Sequence, residues 1–386
     1  MRRIAIVTTS RADYGIYRPL LHRLVDDSRA ELMVVVGGMH LLREHGMTVA
    51  AIEADGFQIA DRVEFLLHSD SPEAIALSMG LATQGFARTY ARLRPDIVVV
   101  LGDRFEMHAA AVAASPFAFA IAHIHGGELT SGALDDAWRH AITKLAHLHF
   151  VSTAVYARRV AQMGEEDWRI HGVGALGLDN FASTTPLGRT TLEERLKLDL
   201  SVAPLVVTMH PETLGDSDDD DASALLTALS KFDHPIVITA TNADPGNRRL
   251  RERLNDFAAS TPQVRLVESL GTEAYFGLLR IAAAMVGNSS SGLIEAPSFG
   301  LPVINIGHRQ DGRIRGANII DCANEASAIE MALRHALEPT FRATLASCAN
   351  PYQGVGPAAP QIAEVLLTTA LDRRLLRKLF VDRMTK

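Results

Sequence analysis

The chain has 386 residues, 47% of them hydrophobic and 22% charged, with 38 Lys and Arg against 45 Asp and Glu and a formal net charge of −7. That length exceeds one ordinary core and implies two domains; the acidic balance argues against a nucleic-acid scaffold and leaves room for a local basic site for a small anion. Its two cysteines, Cys322 and Cys348, have neither disulfide-framework nor metal-ligand spacing, the start MRRIAIVTTSRADYG is too soon interrupted for a secretion signal, and no run approaches the ~18 apolar residues of a membrane span, so a cytoplasmic protein is expected.

Short Val/Ile-rich runs alternate with longer helical patterns, the signature of parallel strands covered by helices. In the first half the strand candidates are 2–9, 31–38, 96–103 and 119–127, near-continuous in apolar residues as strands buried on both faces are. Helices are expected at 16–26, 72–94, 104–114 and 134–147 from apolar residues at mixed spacings of three and four. The pattern breaks over 180–204, which is polar and turn-rich, and then restarts with strands at 204–210, 235–241, 264–269, 283–288 and 302–307. Helices are expected there at 222–231, 247–258, 272–283 and 292–298, and the tail from 360 reads as one or two packing helices with a basic end. The expected architecture is α/β, two Rossmann-like domains facing a cleft: 1–185, 186–362, and a C-terminal helix at 363–386 packing back across them.

Ligands of open parallel sheets sit beyond the carboxyl ends of the strands. The residues at the carboxyl ends of the strand candidates are Ser10 to Gly15, Gly102 to Glu106, His123 to Glu128, His210 to Thr213, Asn242 to Gly246, Gly287 to Ser291 and Gly307 to Gln310. Turns need small residues, but not repeated arginines, carboxylates and histidines together, so these ends point to an active cleft. Within 126–145, Asp135 and Arg139, and Asp136 and His140, stand four apart on one side of a helix start; Glu128 and Asp103 add two more acids to the same rim. Clustered acids are costly unless a cation, a metal or proton transfer uses them. His123 and His125 alternate on a strand and keep a two-histidine metal site open, but no HExxH or Cys/His cluster accompanies them and Arg104 and Arg139 oppose a cation. No metal is assigned. His147 and His149 beside an apolar run read as packed structural histidines.

In GNSSSGLIEAPSFG (287–300) the serines read as helix openers, because a serine hydroxyl caps unpaired first-turn N–H groups and the helix start favours an anion. TTSRADYG after the first strand is not GxGxxG, and no GxxxxGK[ST] occurs, which argues against NAD enzymes and P-loop NTPases. An acidic first rim opposite a donor-rich second rim (His210, Ser289, Ser290, Arg309) suits a nucleotide sugar.

The segments SRADYG (10–15), GDRFE (102–106), HIHGGELTSGALDDAWRHAITKLAHLHF (123–150), the HP of MHPET (209–213), NADPG (242–246), GNSSSGLIEAPSFGLPVINIGHRQDGR (287–313) and GANII (316–320) resemble the hydrolysing UDP-N-acetylglucosamine 2-epimerases of sialic-acid-type biosynthesis. The resemblance implies the glycosyltransferase-B fold, a reaction without redox cofactor or metal, and a dimer or tetramer. It implies release of UDP by C1–O cleavage and loss of the C2 proton to give a glycal, then hydration to N-acetylmannosamine. The functional positions it implies are Arg11, Asp13, Asp103, Glu128, Asp135, Asp136, Arg139 and His140 in the first half. In the second they are His210, Asn242, Ser289, Ser290, Glu295 and Arg309. Asp103 and Glu128 are expected to handle the proton directly with Asp135 in support, and Glu295 to accept from ribose hydroxyls. TTSRADYG and the acid Glu212 depart from the common pattern, so the second reading is a hydrolysing 2-epimerase of a UDP- or GDP-linked 2,4-diacetamido-2,4,6-trideoxy sugar, as in legionaminic acid synthesis. A non-hydrolysing epimerase, a retaining glycosyltransferase and a non-enzymatic nucleotide-sugar sensor are the remaining alternatives.

Overall fold

The computed structural model describes residues 1–69, 71–131, 133–211, 222–239, 247–268 and 270–383. By their internal contacts these form two units: Met1–Glu128, Leu134–Ser183 and Tyr352–Lys386 in the first, and Leu129–Ala133 with Thr184–Pro351 in the second. Among the described residues no helix is long and apolar enough to cross a membrane.

The first unit is built on seven parallel strands: β1 (Arg2–Thr8), β2 (Ala30–Gly37), β3 (Ile59–Val63), β4 (Ile97–Leu101), β5 (Ala120–Ile124), β6 (Leu148–Val151) and β7 (Ile170–Gly172). They lie in the order β3-β2-β1-β4-β5-β6-β7. The central strands are apolar throughout because each alternation meets a different helical layer. Ile4, Ile6, Val34 and Val99 pack with Tyr17, Leu20 and Leu366 on one face; Ala5, Val7, Val98 and Val100 pack with Phe86, Tyr90 and Met107 on the other. The first helix, Arg11–Val25, starts five residues before its apolar pattern does. Ser10 caps it, and Asp13 at the third helical position returns bonds to the cap backbone, a reciprocal capping box.

The second unit has β8 (Leu205–Thr208), β9 (Ile236–Thr239), β10 (Val264–Val267), β11 (Ala284–Gly287), β12 (Val303–Ile306) and β13 (Ile319–Cys322) in the order β10-β9-β8-β11-β12-β13, again parallel. Two cores cover its faces, one around Val207, Ile238, Ile304 and Leu333 and one around Val206, Met285, Leu278 and Val303. Both sheets reverse their build-out direction beside their first strand, at β1/β4 and at β8/β11, which is where open α/β sheets present ligand-binding loops.

Four strands were not anticipated: β3, β6, β7 and β13. The serine segment does open a helix, but only Ser290–Ile294, followed by a 3-10 turn at Ala296–Phe299 where Pro297 interrupts the α pattern expected over 292–298. The tail forms a helix at Ala358–Thr368, which packs on the Arg11–Val25 helix, and a short one at Arg373–Leu376. Buried Arg169 fastens the latter by donating to the carbonyls of Arg374 (2.7 Å) and Leu375 (2.8 Å).

Candidate active site

The loops after β4 and β5 and the helix Asp135–Leu145 place an ion-pair network at the carboxyl edge of the first sheet. Arg139, buried on that helix, pairs with the Asp103 carboxylate, donates to the carbonyl of His125 (2.7 Å) and stands 3.8 Å from Glu128 Oε2. The other Glu128 oxygen accepts from His125 Nδ1 (2.6 Å) and from Ser152 Oγ (2.8 Å). One guanidinium therefore serves two acids, which lowers the cost of burying both. Their exposure differs: the Glu128 side chain is 2% accessible, that of Asp103 19%.

The turn that delivers Glu128 is tight. His125 sits at φ 64 and Gly127 at φ 77. A Cβ on Gly127 would meet the carbonyl oxygen of Tyr156 at 2.6 Å, so only glycine fits. Behind the turn His123 is fully buried, with Nε2 donating to the Gly102 carbonyl (2.8 Å) and Nδ1 3.1 Å from the Thr143 hydroxyl. Burial pushes this ring down to about 3, aided by Arg139, His149 and His125, so it stays neutral. It ties the peptide before Asp103 to the helix turn after Arg139.

Asp135 is the first residue of its helix and is buried, and Asp136 lies 3.6 Å from His140, the i,i+4 pair the spacing implies. Burial lowers His140 and Asp136 opposes that. The Glu106 carboxyl, fully buried, is pushed up by desolvation against the pull of Arg104 at 3.0 Å. Asp13 accepts from the backbone N–H of Thr9 (2.9 Å) and Ser10 (2.8 Å) and from both hydroxyls, so its carboxylate fastens the loop after β1, beside Arg11 at the helix start.

His147 and His149 are packed in the sheet as expected. His147 Nδ1 accepts from the Ile121 N–H at 3.1 Å, and burial drives the ring to about 4. His149 donates to Glu165 at 3.0 Å. Burial would raise that carboxyl, but hydrogen bonds from His149, Lys144 and Lys378 hold it at about 2.

In the second unit the strand-end groups are held by amides. Asn288 accepts from the His210 N–H (2.7 Å) and donates to the His210 carbonyl (2.8 Å), clamping the ends of β8 and β11 together. Gly287 permits that approach, since a Cβ there would meet the Thr208 oxygen at 1.9 Å. Gln310 and Arg309 donate to the Asn288 carbonyl at 2.7 and 3.4 Å. Ser289 caps Ser290–Ile294 by accepting from the Ser291 N–H, and Glu295 ends that helix. Thus His210, Ser289, Ser290 and Arg309 follow β8, β11 and β12 at one edge of this unit and Glu295 closes the helix that Ser289 opens, while Asn242 and Glu212 lie outside the described residues. Among the described residues no group of three or more His, Cys, Asp and Glu side chains is placed to hold a metal ion.

Sequence reasoning missed His125 and Ser152 as partners of Glu128. His125 lay in the strand-end set, and its left-handed turn beside glycine was the available signal; Ser152, after β6, carried none because that strand was not anticipated.

A family model described as UDP-N-acetylglucosamine 2-epimerase matches residues 22–367. The chain is 38% identical over 325 residues to the GDP/UDP-N,N'-diacetylbacillosamine 2-epimerase (hydrolyzing) of Campylobacter jejuni, covering 83% of this chain and 84% of that protein. It is 37% identical to the polysialic acid biosynthesis protein P7 of Escherichia coli, covering 91% and 90% of the two chains. Among solved structures, UDP-GlcNAc 2-epimerase from Neisseria meningitidis bound to UDP-GlcNAc superposes with a TM-score of 0.80 over 96% of this chain and all (100%) of the other at 18% identity, which shows two parallel α/β units of the glycosyltransferase-B type. The chain belongs to the UDP-N-acetylglucosamine 2-epimerase family.

Proposed function

We propose that the protein is a hydrolysing 2-epimerase of a nucleotide-linked 2-acetamido sugar. The observation that carries this reading is the Asp103–Arg139–Glu128 network at the ends of β4 and β5, two carboxylates fixed by one buried arginine. Breaking the C1–O bond builds positive charge on the sugar ring, which ionised Asp103 and Glu128 favour, with Asp135 in support. The C2–H bond is too weak an acid to ionise first, so C1–O cleavage leads and a first-unit base takes the proton as the glycal forms. Water then adds at C1 and a proton returns to C2 on the opposite face. The departing diphosphate carries negative charge, to which Arg309, His210 and the Ser289–Ser290 helix start are suited.

The identities to diacetylbacillosamine 2-epimerases support a 2,4-diacetamido-2,4,6-trideoxy sugar on UDP or GDP as the substrate. A second reading, UDP-N-acetylglucosamine giving UDP and N-acetylmannosamine, is supported by the likeness to a polysialic acid biosynthesis protein. Incubation with UDP- and GDP-linked forms of both sugars, with chromatography of nucleotide and sugar, tests the proposal. Free nucleoside diphosphate plus the 2-epimer is expected. A 2-epimer still attached to nucleotide would point to the non-hydrolysing reaction, and binding without release to a sensor.

A further inference from the structure

Resting on that reading, we infer that His125 is the group that removes the C2 proton and that Glu128 acts through it. Glu128 is poorly placed to meet a ligand itself: its side chain is 2% accessible, one of its oxygens accepts from both His125 Nδ1 and Ser152 Oγ, and the other faces Arg139 at 3.8 Å. A carboxylate held so must accept the His125 contact, so Nδ1 carries the proton and Nε2 presents its lone pair. A buried acid fixing the tautomer and orientation of an imidazole whose other nitrogen does the chemistry is the arrangement of hydrolytic triads.

The backbone supports the same assignment. His125 is the residue after β5 and holds a left-handed conformation, φ 64, a region in which histidine is tolerated but which costs free energy unless its surroundings enforce it. They do so through three bonds: the His125 N–H to the Phe150 carbonyl (2.9 Å), the Arg139 guanidinium to the His125 carbonyl (2.7 Å), and the ring to Glu128 (2.6 Å). The ring keeps 8% of its side-chain surface accessible at the strand end where the active-site loops gather. The charged and titratable groups around it are Glu128 on its own turn, Arg139 from the Asp135–Leu145 helix, Asp103 paired to Arg139, and neutral His123 on β5.

In the step proposed, Nε2 forms a bond to the C2 proton, the C2–H electron pair becomes the C1=C2 double bond, and the C1–O pair leaves with the diphosphate. The imidazolium is stabilised by Glu128 and gives its proton to water before the next turnover.

The test begins with nucleotide release by the wild-type chain on the four sugar nucleotides above. No release on any of them brings down the functional reading, and this inference with it. If the wild type is active, His125→Asn is measured, asparagine being chosen because it adopts the left-handed backbone readily. Loss of a general base removes roughly 100- to 10,000-fold of rate, so kcat is expected to fall by at least ~100-fold. KM should change less than about threefold. A variant that keeps its kcat within about threefold overturns the inference and leaves the functional reading intact. Should the variant fail to fold, nitrogen NMR of the wild-type chain carrying ¹⁵N-histidine decides: a His125 ring with its proton on Nδ1 and a bare Nε2 supports the proposal, and the opposite tautomer defeats it.

Discussion

The two units present their strand ends in different ways. In the first, charged side chains hold one another: Arg139 joins Asp103 and Glu128, and Glu128 joins His125 and Ser152. In the second, neutral amides hold backbone: Asn288 clamps His210, and Gln310 braces Asn288. A charged network fixes the protonation states of its members, whereas an amide clamp fixes where N–H groups and a strand end lie. On the proposed function, the first edge is suited to moving protons and the second to holding a ligand in place.

The contrast breaks most visibly at Asp103. Asp103→Asn keeps the shape but removes the charge that Arg139 meets and that the ring cation needs, so turnover is expected to fall by ~100-fold or more, with Glu128→Gln similar. Nucleotide affinity, measured by calorimetry with UDP and GDP, should stay within about threefold. Full activity in either variant takes that carboxylate out of the reaction.

Acid sharpens the comparison at the level of folding. His123 and His147, at about 3 and 4, are held neutral in the first unit by burial. Their folded values lie below the unfolded one near 6.5, so the stability they contribute is present above that pH and is lost as pH falls below it. Between pH 7 and 5 each should cost roughly 2 kcal/mol. Glu165, held at about 2, adds its own loss only below its unfolded value near 4.5. Both tryptophans, Trp138 and Trp168, belong to the first unit. Melting followed by tryptophan fluorescence should thus move down steeply from pH 7 to 5, and an unchanged midpoint would contradict the neutral histidines.

These histidines also mark how far the sequence could be read. Continuous apolar runs announced β1, β2, β4 and β5 because both faces of those strands are covered, and their ends yielded Asp103 and Glu128 directly. The strand β3, IADRV, lies at the sheet edge and is only half-buried, so its pattern is mixed; β7 has three residues and β13 is again an edge. The first helix was expected late because Ser10 and Asp13 define its start through hydrogen bonds rather than apolar spacing. The same holds for the site. Arg139 was identified by its i,i+4 spacing from Asp135, but its reach to Asp103 and Glu128 spans separate loops, and the bond of His125 to Glu128 depends on a backbone turn that local periodicity does not encode.

A smaller effect is expected at the second edge. Arg309 donates to the Asn288 carbonyl, 3.4 Å away, which sets its guanidinium beside the Ser289–Ser290 helix start. In Arg309→Met, loss of a charge-assisted contact to diphosphate should raise KM by about tenfold, near 1.4 kcal/mol, with kcat changed less than threefold. A kcat loss as deep as that of Asp103→Asn would erase the distinction between the two edges.

The smallest effect separates capping from binding at Ser289. Its hydroxyl accepts from the Ser291 N–H at 3.3 Å, at the long end for a cap, so Ser289→Ala should cost at the low end of the usual range, about 0.5 kcal/mol of stability, and Ser289→Gly a few tenths. If the hydroxyl serves the helix and the ligand meets the backbone N–H groups, KM in both variants stays within about twofold while the melting temperature drops slightly. A KM increase as large as that of Arg309→Met, with stability unchanged, would instead give the hydroxyl itself to the nucleotide. The support of this edge would then fall to the amide clamp between Asn288 and His210, and Ser289 would join the groups that contact phosphate.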